Sequence, residues 1–139
     1  MCGIIGYLGN RNAKDVLING LKRLEYRGYD SAGIATIESS KFLISKTSGK
    51  VEDLVSKISK DLHKGKIGIG HTRWATHGKP NDFNAHPHSD NNKKFTIVHN
   101  GIIENYNSLK KLLESKGILC NSETDTEVLV QFISYLYNK

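Results

Sequence analysis

The apolar positions of this chain follow two spacings, and each spacing predicts one type of secondary structure. Short apolar runs predict β-strands at Ile4–Leu8, Ala32–Ile37, Phe42–Lys46, Lys66–His71 and Phe95–His99. Apolar residues three and four positions apart predict helices at Ala13–Leu24, Val51–Leu62 and Tyr106–Lys116, with one more helix after Ser122. A Thr-x-x-Glu capping box at Thr124–Glu127 is expected to begin that last helix.

The last two predicted helices each have an apolar face, which is expected to point inward. These faces consist of Leu109, Leu112 and Leu113 in one helix, and of Val128, Leu129, Phe132, Ile133 and Leu136 in the other. Because the predicted strands lie in adjacent pairs, we expect an α+β domain of antiparallel sheets covered by helices. The 139 residues are sufficient for one domain with a sizeable core.

One segment, Arg73–Asn92, has no sustained period and contains both prolines of the chain. It predicts a loop of roughly 20 residues, and loops of that length in compact domains are usually functional or disordered.

Composition and charge argue against several functions. The formal net charge is +6, but the lysines are scattered singly and no basic run is interleaved with aromatic residues, so no nucleic acid partner is expected. No apolar run approaches the roughly 18 residues of a transmembrane helix, and the first residues do not resemble a signal peptide. A cytoplasmic protein is expected, in which Cys2 and Cys120 stay reduced.

The start of the chain offers a candidate nucleophile. Met1 precedes Cys2, and an initiator methionine is commonly removed before a small residue. A terminal cysteine then has both a thiol and an α-amine, which is partly unprotonated near neutral pH and can accept the thiol proton. Nucleophile and base are thus combined in one residue. The alternative is that Cys2 is a small apolar residue near a frayed end.

Three further positions each permit a structural and a functional interpretation. Asn100–Gly101 after a strand predicts a turn, or an oxyanion hole of one side-chain amide and one backbone N–H. Arg73 belongs to a surface loop, or binds a carboxylate with two parallel hydrogen bonds. Thr76 and His77 are possible further donors, and Trp74 is a possible shield against water. Asp125 at the first position of a helix favours the helix dipole, or binds an ammonium group.

Five histidines lie close together in the sequence, at positions 71, 77, 86, 88 and 99. A structural or catalytic zinc site needs three or four ligands in a supporting context. The chain has no His-Glu-x-x-His or Cys-x-x-Cys motif. We therefore expect no metal and no cofactor.

Taken in order, these features resemble the glutaminase domain of the glutamine amidotransferases with an N-terminal cysteine, members of the N-terminal-nucleophile hydrolase superfamily. The segments that resemble this family are Met1–Tyr7, Leu24–Gly33, Gly70–Gly78, Asn84–His88, Val98–Asn105 and Ser122–Val128. The runs at Leu24–Gly33 and His71–Gly78 resemble the hexosamine-forming branch. The implied fold is a four-layer αββα sandwich of antiparallel sheets. Residues 2–139 would form a C-terminally truncated glutaminase domain, without the sugar-isomerase domains.

The resemblance also implies a role for each candidate residue. Cys2 would attack the side-chain amide of glutamine, with its own α-amine as the base, and Asn100 and Gly101 would form the oxyanion hole. Glutamine is a zwitterion, so its site also needs a cation and an anion. Arg73, helped by Thr76 and His77, would hold the α-carboxylate, and Asp125 the α-ammonium. Trp74 would gate the ammonia path, the loop Arg73–Pro80 would close over glutamine, and Arg27 would support the nucleophile.

The function implied by the resemblance is that of a glutamine–fructose-6-phosphate aminotransferase. L-glutamine would be hydrolysed through a glutamyl thioester, and the full-length enzyme, a homodimer, would use the ammonia to convert fructose 6-phosphate into glucosamine 6-phosphate. Two alternatives stay open. One is a sibling amidotransferase of purine synthesis, and the other is an inactive binding fragment, which gains support if Met1 is retained.

Overall fold

A four-stranded antiparallel sheet forms the centre of the molecule. The structure is a computed structural model that describes residues 1–75 and 78–139. The sheet has the order β1-β4-β2-β3, with β1 at Gly3–Leu8, β2 at Ser31–Glu38, β3 at Lys41–Ser48 and β4 at Ile67–Arg73. A second antiparallel pair consists of β5 at His88–Ser89 and β6 at Thr96–Ile97. The antiparallel arrangement predicted from the sequence is confirmed.

Helices lie on both sides of these strands. They are α1 at Ala13–Leu24, followed by a 3₁₀ turn at Glu25–Arg27, then α2 at Val51–Lys57, α3 at Tyr106–Ser115 and α4 at Asp125–Tyr137. Helices α1 and α2 cover one face of the large sheet, and α4 packs against β5, β6 and α3. No helix in the described parts of the chain is long and apolar enough to cross a membrane.

The apolar core lies between α1, α2 and the large sheet. Its fully buried members include Leu17 and Leu21 of α1, Ile34 of β2 and Leu54 of α2, with Ile5 of β1 packed against them. Full burial of such a side chain contributes about 1.5–3 kcal/mol. The helical spacing of Leu17 and Leu21 and the alternation of the strand residues therefore determine which face of each element points inward.

The opposite face of the sheet is covered by the irregular segment before β5. Its backbone lies directly on β2, because a Cβ atom on Gly33 would be only 2.0 Å from the carbonyl oxygen of His86. Lys46 of β3 fastens the segment, since its Nζ donates to the carbonyl oxygen of Ala85 at 2.8 Å and to those of Phe83 and Pro87 at 3.2 and 3.3 Å. Burial lowers the pKa of the Lys46 ammonium to about 8.

The second helix is shorter than predicted, since it ends at Lys57 and does not reach Leu62. A tertiary contact explains the difference. His63 has a left-handed backbone (φ 61°) and is buried, with Nδ1 2.8 Å from Thr36 Oγ1 and Nε2 2.8 Å from Ser45 Oγ. The chain leaves the helix early because this imidazole bridges β2 and β3.

The predicted inward faces of α3 and α4 are partly wrong. Leu113 and Val128 are buried, but Leu112 and Leu136 are 39% and 51% exposed. In α4 a polar stripe is buried instead, because it meets the turn before β6. In that stripe Gln131 Nε2 donates to Asn91 Oδ1 at 2.9 Å, and Ser134 Oγ donates to Asp90 Oδ2 at 2.7 Å. The strand predicted at Phe95–His99 is limited to Thr96–Ile97.

The close approach at Gly33 makes a testable prediction about the fold. In Gly33→Ala the new methyl group meets a backbone carbonyl, so either β2 or the segment at His86 has to move. Such overpacking typically costs about 1–3 kcal/mol. We expect the urea midpoint of unfolding of the intact protein to fall accordingly.

Gly6→Ala is the matched control for this substitution. Gly6 lies in β1, and a Cβ atom there would have no heavy atom within 4 Å. Its free energy of unfolding should stay within about 0.5 kcal/mol of the wild-type value, as for most surface substitutions, so its urea midpoint should hardly change. Equal midpoints for the two variants would show that the segment does not pack on Gly33.

Candidate active site

Most of the candidate residues line a single cavity of about 720 Å³, at the end of the sheet where β1 begins and β4 ends. This volume lies within the roughly 300–1,000 Å³ of small-molecule sites. The lining residues come from six separate stretches of chain: Met1, Cys2, Ile4, Leu24, Arg27, His71, Arg73, Trp74, His86, His99, Asn100, Gly101, Ile102, Thr124, Asp125 and Thr126. Thr76 and His77 lie outside the described residues.

Strand pairing determines the position of Cys2. Gly3 pairs with Thr72, and its N–H donates to Thr72 Oγ1 at 3.1 Å. Cys2 therefore lies beside the residues that follow β4, and the N–H of Trp74 donates to Cys2 Sγ at 3.1 Å. The Cys2 thiol in turn donates to the carbonyl oxygen of Trp74 at 3.5 Å, so the sulfur is held against the backbone of that residue.

Met1 occupies the position next to this thiol. Its α-ammonium donates to the carbonyl oxygen of Arg27 at 2.6 Å, and Arg27 Nη2 donates to Met1 Sδ at 3.2 Å. Arg27 thus lies beside the chain terminus. While Met1 is present, the nitrogen of Cys2 is an amide and has no basic lone pair.

Asn100 contacts both Cys2 and β4. Its Nδ2 donates to the carbonyl oxygen of Cys2 at 3.2 Å, and its Oδ1 lies 2.8 Å from His71 Nε2. Gly101 follows it on the cavity wall. The side-chain amide of Asn100 therefore lies next to Cys2, and Gly101 lines the same cavity.

Arg73 and Asp125 bring opposite charges to the cavity. Arg73 is the last residue of β4, is 3% exposed, and donates from Nη2 to the carbonyl oxygen of Gly78 at 3.3 Å. Asp125 is the first residue of α4, is 4% exposed, and its Oδ2 accepts from the N–H of Ile103 at 2.7 Å. Asp125 therefore also anchors the loop that contains Asn100.

The predicted capping box of α4 forms only in part. Thr124 Oγ1 accepts from the N–H of Glu127 at 3.2 Å, as expected. The carboxylate of Glu127 does not return to Thr124, and instead accepts from the N–H groups of Asn121 and Ser122 at 2.8 and 2.5 Å. The start of α4, where Asp125 lies, is thus fixed by hydrogen bonds to the residues before Thr124 and to the first turn of the helix.

Trp74 lies at the mouth of the cavity and is 56% exposed. Its indole passes so close to Gly28 (φ 114°) that a Cβ atom there would be 2.5 Å from Trp74 Cε3. Gly28 therefore serves both the turn and the approach of the indole.

The sequence did not single out Asp30, which helps to build the site. Asp30 donates its N–H to the carbonyl oxygen of Arg73 at 2.8 Å, and its carboxylate accepts from the N–H of Ala75. These contacts fix the turn after β4. Asp30 lies within the Leu24–Gly33 run, so the signal was present in the motif, but no spacing rule connects it with a turn more than 40 residues away.

Three of the five histidines form a buried stack. The rings of His71 and His86 are 4.2 Å apart and nearly parallel at 17°, and the ring of His88 meets that of His86 edge-on at 4.8 Å. Burial lowers the pKa of His71 to about 4, and it lowers the pKa values of the other two below their ordinary range. All three are neutral near pH 7. In the described parts of the chain, no group of three His, Cys, Asp or Glu side chains is placed to hold a metal ion.

The two cysteines are free thiols in different environments. Cys2 opens onto the cavity, whereas Cys120 precedes the start of α4 and does not line it. Burial raises the pKa of the Cys120 thiol to about 11, so its thiolate is scarce near neutral pH. Of the two, Cys2 has the position of a nucleophile.

Two solved enzyme structures have a similar arrangement of strands and helices. One is the glutamine phosphoribosylpyrophosphate amidotransferase from B. subtilis complexed with ADP and GMP, with a TM-score of 0.80 at 31% identity. The other is described as the allosteric regulatory enzyme of purine biosynthesis, with a TM-score of 0.82 at 30% identity. Each match covers 96% of this chain and 29% of the other chain. These neighbours confirm the N-terminal-nucleophile hydrolase fold with its antiparallel sheets.

Sequence relatives point to the hexosamine-forming branch. The glutamine–fructose-6-phosphate aminotransferases (isomerizing) of Pyrococcus horikoshii and Aquifex aeolicus are 59% and 54% identical to this chain over 96% and 99% of its length. The chain spans only 22% and 23% of the length of these curated relatives. A family model described as a glutamine amidotransferase domain matches residues 43–136. With most of its length matched by that model, the chain belongs to the glutamine amidotransferase domain family.

Proposed function

We propose that this chain hydrolyses L-glutamine to glutamate and ammonia at Cys2. The observation that supports this most is that Cys2, Arg73, Asn100 and Asp125 line one cavity. Glutamine has an α-carboxylate, an α-ammonium and a terminal amide. The cavity offers a guanidinium for the first, a carboxylate for the second, and a thiol beside an amide donor for the third.

The reaction begins with a chain from which Met1 has been removed. The freed α-amine of Cys2 takes the thiol proton, directly or through water, and Sγ attacks the amide carbon of glutamine. The N–H of Trp74, 3.1 Å from Sγ, stabilises the thiolate before the attack. The thiol and its base thus belong to one residue, Cys2, and the N–H that donates to the sulfur belongs to Trp74, just after the end of β4.

The attack places a negative charge on the former amide oxygen of glutamine. Asn100 Nδ2 and the N–H of Gly101 donate to this oxygen in the tetrahedral intermediate. As the intermediate collapses, the Cys2 α-ammonium returns a proton to the leaving nitrogen and ammonia departs, leaving a γ-glutamyl thioester. Water then adds to the thioester with the same amine as base, which releases glutamate and regenerates the thiol.

The remaining candidates belong to the same proposal. Trp74 gates the mouth of the cavity, where it is half-exposed. Arg27 supports the chain terminus, beside which it lies. Thr76 and His77 assist Arg73 in holding the α-carboxylate, and the loop Arg73–Pro80 closes over the substrate, as in the family that the chain resembles.

In the intact protein, we propose that the ammonia converts fructose 6-phosphate into glucosamine 6-phosphate. The support is the name of the relatives that are 54–59% identical to this chain. The alternative, ammonia for purine synthesis, is supported by two structural neighbours at only 30–31% identity. The lower identity makes this the weaker candidate. A cytoplasmic location and a homodimer of the full-length enzyme are part of the favoured proposal.

The first test replaces the nucleophile. Cys2→Ala in the intact protein should lower the rate of ammonia release from glutamine by about 10⁴-fold or more, because loss of a covalent nucleophile removes the main route. Ammonia added to the solution should still support the formation of glucosamine 6-phosphate. A coupled assay for glutamate and a direct assay for the amino sugar measure the two activities.

Cys120→Ala is the matched control for the first test, because this thiol lies away from the cavity and its pKa is raised to about 11. It should hydrolyse glutamine at the wild-type rate. Hydrolysis that survives Cys2→Ala but is lost in Cys120→Ala would refute the proposed site. Failure of ammonia to yield the amino sugar would refute only the proposed acceptor.

The second test removes one charge while keeping a structural contact. In Asp125→Asn the side-chain oxygen still accepts from Ile103, but the negative charge that pairs with the α-ammonium is lost. Since a hydrogen bond to a charged group is worth about 1.5–3 kcal/mol, kcat/KM for glutamine should fall about 10- to 100-fold. Steady-state kinetics of glutamate formation measure this change.

A substrate without the α-amine provides the control for the second test. Glutaramate has the carboxylate and the amide of glutamine but no ammonium group. For glutaramate, kcat/KM of the Asp125→Asn variant should lie within about threefold of kcat/KM of the wild-type protein, because this substrate has no ammonium group to pair with Asp125. Equal losses for both substrates would mean that Asp125 acts only through the loop at Ile103.

A further inference from the structure

The side-chain amide of Asn100 is held at both of its ends. Its nitrogen donates to the Cys2 carbonyl oxygen at 3.2 Å, and its oxygen lies 2.8 Å from His71 Nε2. An amide rotated by 180° has nearly the same shape but presents an acceptor where it had a donor. Only the observed orientation offers N–H groups toward Cys2.

His71 is able to supply the proton that fixes this orientation. Burial lowers its pKa to about 4, so the ring is neutral near pH 7 and donates from only one nitrogen. The oxygen of Asn100 can only accept, so the hydrogen bond requires the proton on Nε2. A rotated Asn100 would direct its NH₂ group at this N–H and its oxygen at the carbonyl oxygen of Cys2.

The ring of His71 is itself immobilised. Its residue lies in β4, paired with Ile4 on one side and Gly33 on the other, and it is 1% exposed. The parallel stack with His86 at 4.2 Å fixes the plane of the ring. His86 in turn meets the ring of His88 edge-on, and His88 Nε2 lies 2.9 Å from Thr124 Oγ1 at the start of α4.

From this geometry we infer that His71 is a positioning residue, which keeps the Asn100 amide turned so that its nitrogen faces the oxygen that becomes negatively charged. The inference rests on the glutamine hydrolysis proposed above. In this role His71 needs no contact with the substrate. It acts through Asn100, and the stack with His86 and His88 connects that orientation to the helix start at Asp125.

The expected consequence is specific to the transition state. Without His71 the amide samples the rotated orientation, in which its oxygen repels the developing oxyanion. Loss of one oxyanion donor typically lowers kcat by about 10²–10³-fold. Arg73 and Asp125 still bind the two charged groups of glutamine, so KM should change little.

The test compares His71→Leu with His71→Gln in the intact protein. Leucine has no donor, whereas the amide nitrogen of glutamine can replace Nε2 in the contact with Asn100. Three quantities are measured: kcat and KM for glutamine hydrolysis, and the rate at which iodoacetamide alkylates Cys2. Alkylation requires the thiolate but no oxyanion hole, so it reports whether the nucleophile and its surroundings are intact.

We expect kcat of the leucine variant to fall about 10²-fold or more, with KM and the alkylation rate within about threefold of wild type. The glutamine variant should recover most of kcat. An unchanged kcat in the leucine variant, a parallel loss of alkylation, or a glutamine variant no better than leucine would overturn the inference.

Two safeguards keep the result interpretable. If the leucine variant does not fold, His71→Asn replaces it, since its amide is one methylene too short to reach Asn100, and a wild-type kcat in that variant overturns the inference. The proposed function fails in a different way: the wild-type protein would not hydrolyse glutamine, or Cys2→Ala would hydrolyse it equally well.

Discussion

The antiparallel pairing of β1 with β4 is the constraint on which the candidate site depends. It pairs Gly3 with Thr72, and so places Cys2 where the N–H of Trp74 reaches its sulfur at 3.1 Å. A shift of one residue in this register would turn every side chain of β1 to the other face. Ile5 would then leave the core beside α1. The packing of an apolar strand face therefore also holds the thiol in place.

The opposite wall of the cavity is held by polar contacts. The carboxylate of Asp90 accepts from the N–H groups of Lys94 and Phe95 at 2.8 and 2.7 Å, and from Ser134 Oγ at 2.7 Å. A buried carboxylate is tolerated only with such partners. These hydrogen bonds connect two parts of the chain. One is the segment that precedes Asn100, and the other is α4, which begins at Asp125. Asn100 and Asp125 are thus parts of one supported wall.

Features that depend on the local spacing of apolar residues were predicted correctly from the sequence. Predictions were wrong where a contact with a distant part of the chain determines the structure. The bounds of α1 were predicted correctly, because its spacing and its packing agree. The period of α2 continues to Leu62, but the helix ends at Lys57 because His63 bonds to two strands. The cavity residues were identified from their chemistry and from a family resemblance. No spacing rule could predict that His71 orients Asn100, since a side-chain contact across 29 residues depends on the folded chain.

The central claim is that Cys2, freed of Met1, is the nucleophile that attacks glutamine. The most direct measurement is the intact mass of the protein, with peptide mapping, after treatment with an electrophilic analogue of glutamine. The account predicts one adduct for each chain, located on Cys2, in a chain that lacks Met1. An adduct on Cys120, or no adduct in a chain that lacks Met1, would contradict it.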